Sequence, residues 1–161
     1  MATNVKRSVK QRLQALEDQL AIYQVVCGYG YAVDGLNYEA VERLYAENGI
    51  YAVADRESFR GAAAVAGITK IRGHRDLVAG GCAHVSTLPY VVINGDRATA
   101  TCHTLLVRSA GDGFHVARLS ASRLELSRKP DGGWQIDHRQ NHLLQGDPAG
   151  PAMLGRLEEA P

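Results

Sequence analysis

The chain has 161 residues, with 18 Lys and Arg against 17 Asp and Glu and a formal charge of +1. That length suits a single domain, residues 1–161, able to bury a core without disulfides or a structural metal. The balanced charge, with no basic block longer than a Lys-Arg or Arg-Lys pair, excludes a nucleic-acid footprint. No apolar run approaches the ~18 residues of a membrane span, so no membrane partner is expected. The three cysteines, Cys27, Cys82 and Cys102, follow no secretory segment and show no pairing pattern, which predicts a cytoplasmic protein. The aromatic set is unusual: seven tyrosines against two phenylalanines and one tryptophan. Most large rings therefore carry a hydroxyl that needs a partner or a wet cavity.

From Ser8 to Asp34 apolar residues recur at helical spacing. Leu13, Leu16, Leu20, Tyr23 and Cys27 form one stripe, with Ile22, Val26, Tyr29 and Val33 beside it, and the whole is wide enough to bury. Gly28 and Gly30 weaken a helix, so something is expected to pack close to the backbone there. Gly35 supplies a stop, and Asn37 caps a second helix, YEAVERLYAE, with Val41, Leu44 and Tyr45 inward. Asp34 thus falls at a helix-to-helix corner.

After Asn48-Gly49 the period changes. IYAVA reads as a strand; Asp55 to Gly81 holds an Ala-rich piece, a strand-like ITKIRG and a short helical HRDLVAG, in some order. Then HVSTLPYVVI, the turn NGDR and ATATCHTLLVR form a hairpin. FHVARLSASRLELSR and WQIDHRQNHLL, separated by KPDGG, are two further strands. The core runs from 13 to 143, and the proline-rich residues 144–161 read as a loosely ordered extension. Helices followed by a meander predict an α+β fold: long N-terminal helices packed on a curved, mostly antiparallel sheet, wrapped into a cone-shaped barrel with an apolar pocket.

An even-numbered hairpin turn places His84, Ser86 and Tyr90 on one face together with His103. A three-residue turn would put His103 on the other side. That face mixes apolar and polar groups as a pocket wall does. A His held by a carboxylate is a general base tuned near neutrality, and Asp34 is the carboxylate to pair with His84. Tyr29, five positions before Asp34, can reach the same cavity and donate from its hydroxyl, with Tyr23 and Tyr31 as competitors. Cys82 points to the His84 face. The remaining histidines match no zinc ligand spacing, and neither HExxH nor CxxC occurs. No metal is therefore expected.

The long first helix, YAVDGLNYEAVERLYAENGIY, HVSTLPYVVINGDRATATCHTLLV and DGGWQIDHR together resemble the SnoaL-like family of the nuclear-transport-factor-2-like superfamily, over about Leu13 to Leu143. This group includes scytalone dehydratase, bile-acid 7α-dehydratase, hexachlorocyclohexane dehydrochlorinase and the polyketide cyclases. The resemblance implies a cone-shaped pocket for a hydrophobic cyclic substrate such as a polyketide, steroid or terpenoid. It implies no cofactor, a homo-oligomer (trimer or dimer), and an Asp–His pair moving protons. Asp34 and His84 stand at the dyad positions and Tyr29 at that of a catalytic Tyr. On the same resemblance His103 is expected as a second pocket His, and Cys82, Tyr90, Ser86 and Tyr31 are expected as substrate contacts. The expected activity is that of a dehydratase or of a cyclase or isomerase. The alternative is a ligand-binding or oligomerisation module of the same fold.

Overall fold

A computed structural model describes residues 8–53 and 57–158. Residues 1–7, the last residue of IYAVA with the two that follow it (54–56), and residues 159–161 of the expected tail lie outside them. Helix α1 (Val9–Asp34) begins at a capping box, in which Ser8 and Gln11 bond reciprocally through side chain and backbone. It ends at Gly35, and Asn37 caps α2 (Tyr38–Leu44) by accepting from the Ala40 N–H. Strand β1 (Tyr45–Val53) then starts five residues before the expected IYAVA. The helix stops early because Tyr45 is drawn into the sheet, pairing with Ile136 and burying its ring.

The ambiguous segment is β2 (Glu57–Arg60), α3 (Ala62–Ala66), a 3-10 turn (Gly67–Lys70) and α4 (Arg72–Ala79). ITKIRG is therefore not a strand. Thr69 back-bonds the Ala66 carbonyl and Ile71 serves as the N-cap of α4, so local turns take the place of a ladder. The strand of this region is ESFR instead. HVSTLPYVVI divides at Leu88–Pro89 into β3 (Cys82–Ser86) and β4 (Tyr90–Asn94), since Pro cannot donate to a ladder. Both pair with β5 (Arg97–Ala110), followed by β6 (Gly113–Arg128) and β7 (Trp134–Leu143). The expected loose tail contains α5 (Ala149–Gly155), which buries Met153; an apolar side chain at a helical position outweighs the prolines.

The sheet order is β2-β1-β7-β6-β5-β3, with β4 beside β5. All pairs are antiparallel except β1 with β7. The curved sheet is mixed and does not close, so the fold is α+β with an open cone rather than a closed barrel. Register fixes the inner face: Ala98, Ala100, Cys102, Thr104 and Leu106 of β5 stand opposite Leu126, Leu124, Ser122, Ser120 and Arg118 of β6. One end of that face is apolar and packs under Ile22, Val26 and Val33 of α1. The other end is polar and stays open. The stripe Leu13, Leu16 and Leu20 does not bury: each is more than half exposed, because α1 turns the neighbouring stripe inward. No helix among the described residues is long and apolar enough to cross a membrane.

Candidate active site

Asp34 ends α1 where the helix dipole disfavours a carboxylate, so its position requires compensation. The compensation comes from β3. Asp34 Oδ1 lies 2.6 Å from His84 Nδ1, and Oδ2 accepts the His84 backbone N–H at 2.6 Å. A carboxylate only accepts, so Nδ1 carries the hydrogen and Nε2 is left as the free basic nitrogen. Gly30 makes this approach feasible: a Cβ there would collide with the His84 carbonyl oxygen. The close packing expected at the helix glycines is thus found at Gly30. Burial holds the His84 pKa below its ordinary value against the opposing pull of Asp34, with His74 and Arg118 adding to the lowering. His84 is therefore neutral at pH 7.

The ring opens on a cavity of about 340 Å³ lined mainly by Tyr51, Val53, Phe59, Ile68, Leu77 and Leu143, with His74 and Tyr29. A polar recess adjoins it, walled by Ser86, Thr104, Ser120, Asn141 and Arg139. His84, Tyr29, Tyr51 and Arg118 line both spaces and so stand at their junction. Tyr29 is buried, and desolvation pushes its pKa well above 10, which keeps it a hydrogen-bond donor. Its ring meets Tyr51 edge-on at 5.7 Å. His74 is pinned through Nε2 to the Val33 carbonyl at 2.9 Å, with its ring 5.7 Å from that of His84.

Sequence reasoning did not find Arg139. This guanidinium lies 4.3 Å from the Tyr29 ring centre and 4.9 Å from that of Tyr51. It faces inward because β7 carries a bulge: Glu125 pairs with His138 but Leu126 with Ile136, leaving Asp137 as the extra residue. From Trp134 and Ile136, strict alternation would have turned Arg139 outward.

The other expected residues separate. Ser86 lines the recess, and Cys82 sits behind the dyad with Sγ 3.7 Å from Asp34 Oδ1. Burial and Asp34 raise the Cys82 pKa, which keeps it a thiol. Tyr90 and His103 do not join the cavity. The Leu88–Pro89 break shifts the pairing by one residue, from Ser86 opposite Thr104 to Tyr90 opposite Thr101. Tyr90 therefore falls with Thr101 and His103 on the outer face, where both Tyr90 and His103 are exposed. Tyr31 is 82% exposed and lines neither chamber nor recess, but a separate pocket beside Cys27, Asp34 and His84. Among the described residues, Asp34, Cys82 and His84 bring three metal-ligating atoms within 4.8 Å of one another. A cation there would have to displace the proton shared by Oδ1 and Nδ1 and deprotonate the Cys82 thiol.

Comparison with known proteins agrees with this architecture. No curated protein matches the sequence. An NTF2-like protein with a cystatin-like fold from Novosphingobium aromaticivorans is 36% identical, over 95% of this chain and 99% of that one, with a TM-score of 0.88. A protein of unknown function from Mycobacterium tuberculosis is 18% identical, over 96% and 92%, at 0.72. LinA is 16% identical, over 84% and 95%, at 0.63. The last two show a shared fold. A model described as a SnoaL-like domain matches residues 14–140, the span that carries most of α1, the dyad and the bulge of β7, and the chain belongs to the SnoaL-like family.

Proposed function

We propose that this protein is a cofactor-independent acid–base enzyme, a dehydratase or a cyclase or isomerase, acting on a hydrophobic cyclic small molecule. The observation that carries this reading is the 2.6 Å Asp34–His84 contact at the wall of a largely apolar cavity of about 340 Å³. His84 Nε2 takes a proton from a carbon of the bound ring, and Asp34 stabilises the imidazolium that forms. Negative charge moving to a substrate oxygen is met by the Tyr29 hydroxyl and the Arg139 guanidinium. The imidazolium then returns the proton, either to a departing hydroxyl, which leaves as water, or to another ring carbon. General acid–base help of this kind is worth about 10²–10⁴-fold.

The test needs no leaving group. Cyclic ketones such as 1-indanone and 2-tetralone, incubated with the protein in D2O, should exchange their acidic C–H protons, read by proton NMR. His84→Ala and Asp34→Ala should lose about 10²–10⁴-fold in that rate while remaining folded. Exchange at the full rate in either variant would sink the dyad.

The homo-oligomer is proposed on a separate ground. Leu13, Leu16 and Leu20 are spaced by three and four residues along α1, and each is more than half exposed. Such a seam suits the same helix of a second copy.

A further inference from the structure

The proposed chemistry calls on Arg139 only as negative charge develops and leaves the standing charge of the cavity unbalanced. Among the described residues that line the chamber and the recess there are two guanidinium groups and no carboxylate. Arg139 is 4% exposed and makes no ion pair with any described residue. Its hydrogen bond from Nε to Asn141 Oδ1 is long at 3.4 Å, and that oxygen already accepts from Ser122 at 2.6 Å. Two tyrosine faces offset part of its charge. A buried guanidinium without a counter-charge is nevertheless strongly unfavourable. Arg118, opposite Leu106, brings a second positive charge to the same walls, again without an acid partner among the described residues. Asp34 lines neither space, and both its oxygens are taken by His84.

The shape of the cavity divides as its charge does. The chamber is apolar and large enough for one or two rings, whereas the recess measures only about 20 Å³ and is polar. A planar carboxylate matches a guanidinium fork and fills a space of that size.

We propose that the ligand carries a carboxylate, seated in the recess between Arg139 and Arg118, with its apolar ring system in the chamber. This rests on the reading of the cavity as the substrate site, and it narrows the substrate to ring-bearing carboxylic acids. The reacting carbon then lies at the junction, within the reach of His84 and Tyr29, close to the attachment of the carboxylate. The ligand's charge would also offset that of Arg118, one of the influences that disfavour the His84 imidazolium, so the base strengthens when substrate is present.

Isothermal titration calorimetry at neutral pH with benzoate and 2-naphthoate, each against its carboxamide, tests the idea. At least one acid should bind about tenfold or more tightly than its neutral isostere, and the preference should shrink as salt is added. Arg139→Gln should remove most of the preference but, being buried, can disturb folding. Arg118→Gln changes an exposed side chain and should reduce the preference several-fold without altering the circular dichroism spectrum. Equal binding of acid and amide, no measurable binding of either acid at millimolar concentration, or an undiminished preference in Arg118→Gln overturns the proposal. His84→Ala should retain the preference while losing deuterium exchange. Preference without exchange in the wild type would remove the catalytic reading alone, and exchange without preference would remove this one alone.

Discussion

Gly30 decides how near α1 comes to β3, and with it whether Asp34 reaches His84. On helix propensity alone Ala is better than Gly by about 1 kcal/mol. At Gly28, where a Cβ would meet only Leu44 Cδ2 at 3.7 Å, the Ala variant should gain up to that amount. At Gly30 the Cβ would meet backbone, so the same change should lose about 2 kcal/mol and push β3 outward. Thermal denaturation of the two variants should therefore give shifts of opposite sign. The His84 environment yields a second residue-scale prediction. Because burial lowers its pKa, the exchange rate should stay flat from alkaline pH down past 6.5 and fall only below that value, as the free base is protonated. A midpoint at or above 6.5 would show that burial does not govern the base. The place of Asp34 at a helix end and of Tyr29 on its inner stripe was legible from local period, whereas the approach of His84, 50 residues away, was suggested by the family resemblance and not by spacing. His103 and Tyr90 were misplaced because a one-residue slip at Pro89 reverses every later side chain.

At the scale of elements, α1 is tied to the far end of the sheet by a cluster whose members lie up to 116 residues apart in the chain. Arg128 donates to both Asp18 oxygens at 2.7 and 2.9 Å, and the Trp134 indole donates to Oδ1 at 3.1 Å. The Arg128 contact holds the Asp18 carboxyl below its ordinary value of 3.8. The stabilisation is thus complete above the unfolded pKa, near 3.8, and is lost as pH falls through the lower folded value. Asp18→Asn should lower stability at pH 7 by about 2 kcal/mol and make the acid limb of a denaturation profile shallower. An unchanged acid limb would mean that other carboxylates govern it. The long helix, the hairpin and the late strands were legible from period and turn residues. Residues 57–81 were not, because four short elements there alternate too fast for any period to emerge. Arg139 was hidden for a related reason: a bulge leaves no mark in a hydrophobic pattern that remains acceptable on either side of it.

Over the whole molecule, the inner face of the sheet grades from Ala98, Leu126 and Ile136 beneath α1 to Ser120, Thr104 and Arg118 at the open end. One half serves as core and the other as cavity wall. The exposed leucines of α1 lie on a different surface, so association and ligand binding should be separable. Leu16→Glu with Leu20→Glu should shift the protein to monomer in sedimentation velocity while leaving carboxylate binding within about twofold. A wild type that sediments as a monomer would remove the proposed oligomer.

The extra residue in β7 buffers this wall against a change in strand length. Asp137 sits outside the cavity, its Oδ1 accepting from Ser127 and its Oδ2 3.4 Å from Arg97. Deleting that one residue would restore plain alternation. Arg139 and Asn141 would still face the cavity, because His138 would follow Ile136 directly and keep its outward place. The cationic lining is thus insulated from a single codon lost at this point, and only a slip that irons out the bulge with Asp137 retained would turn the guanidinium to solvent and bring His138 inside.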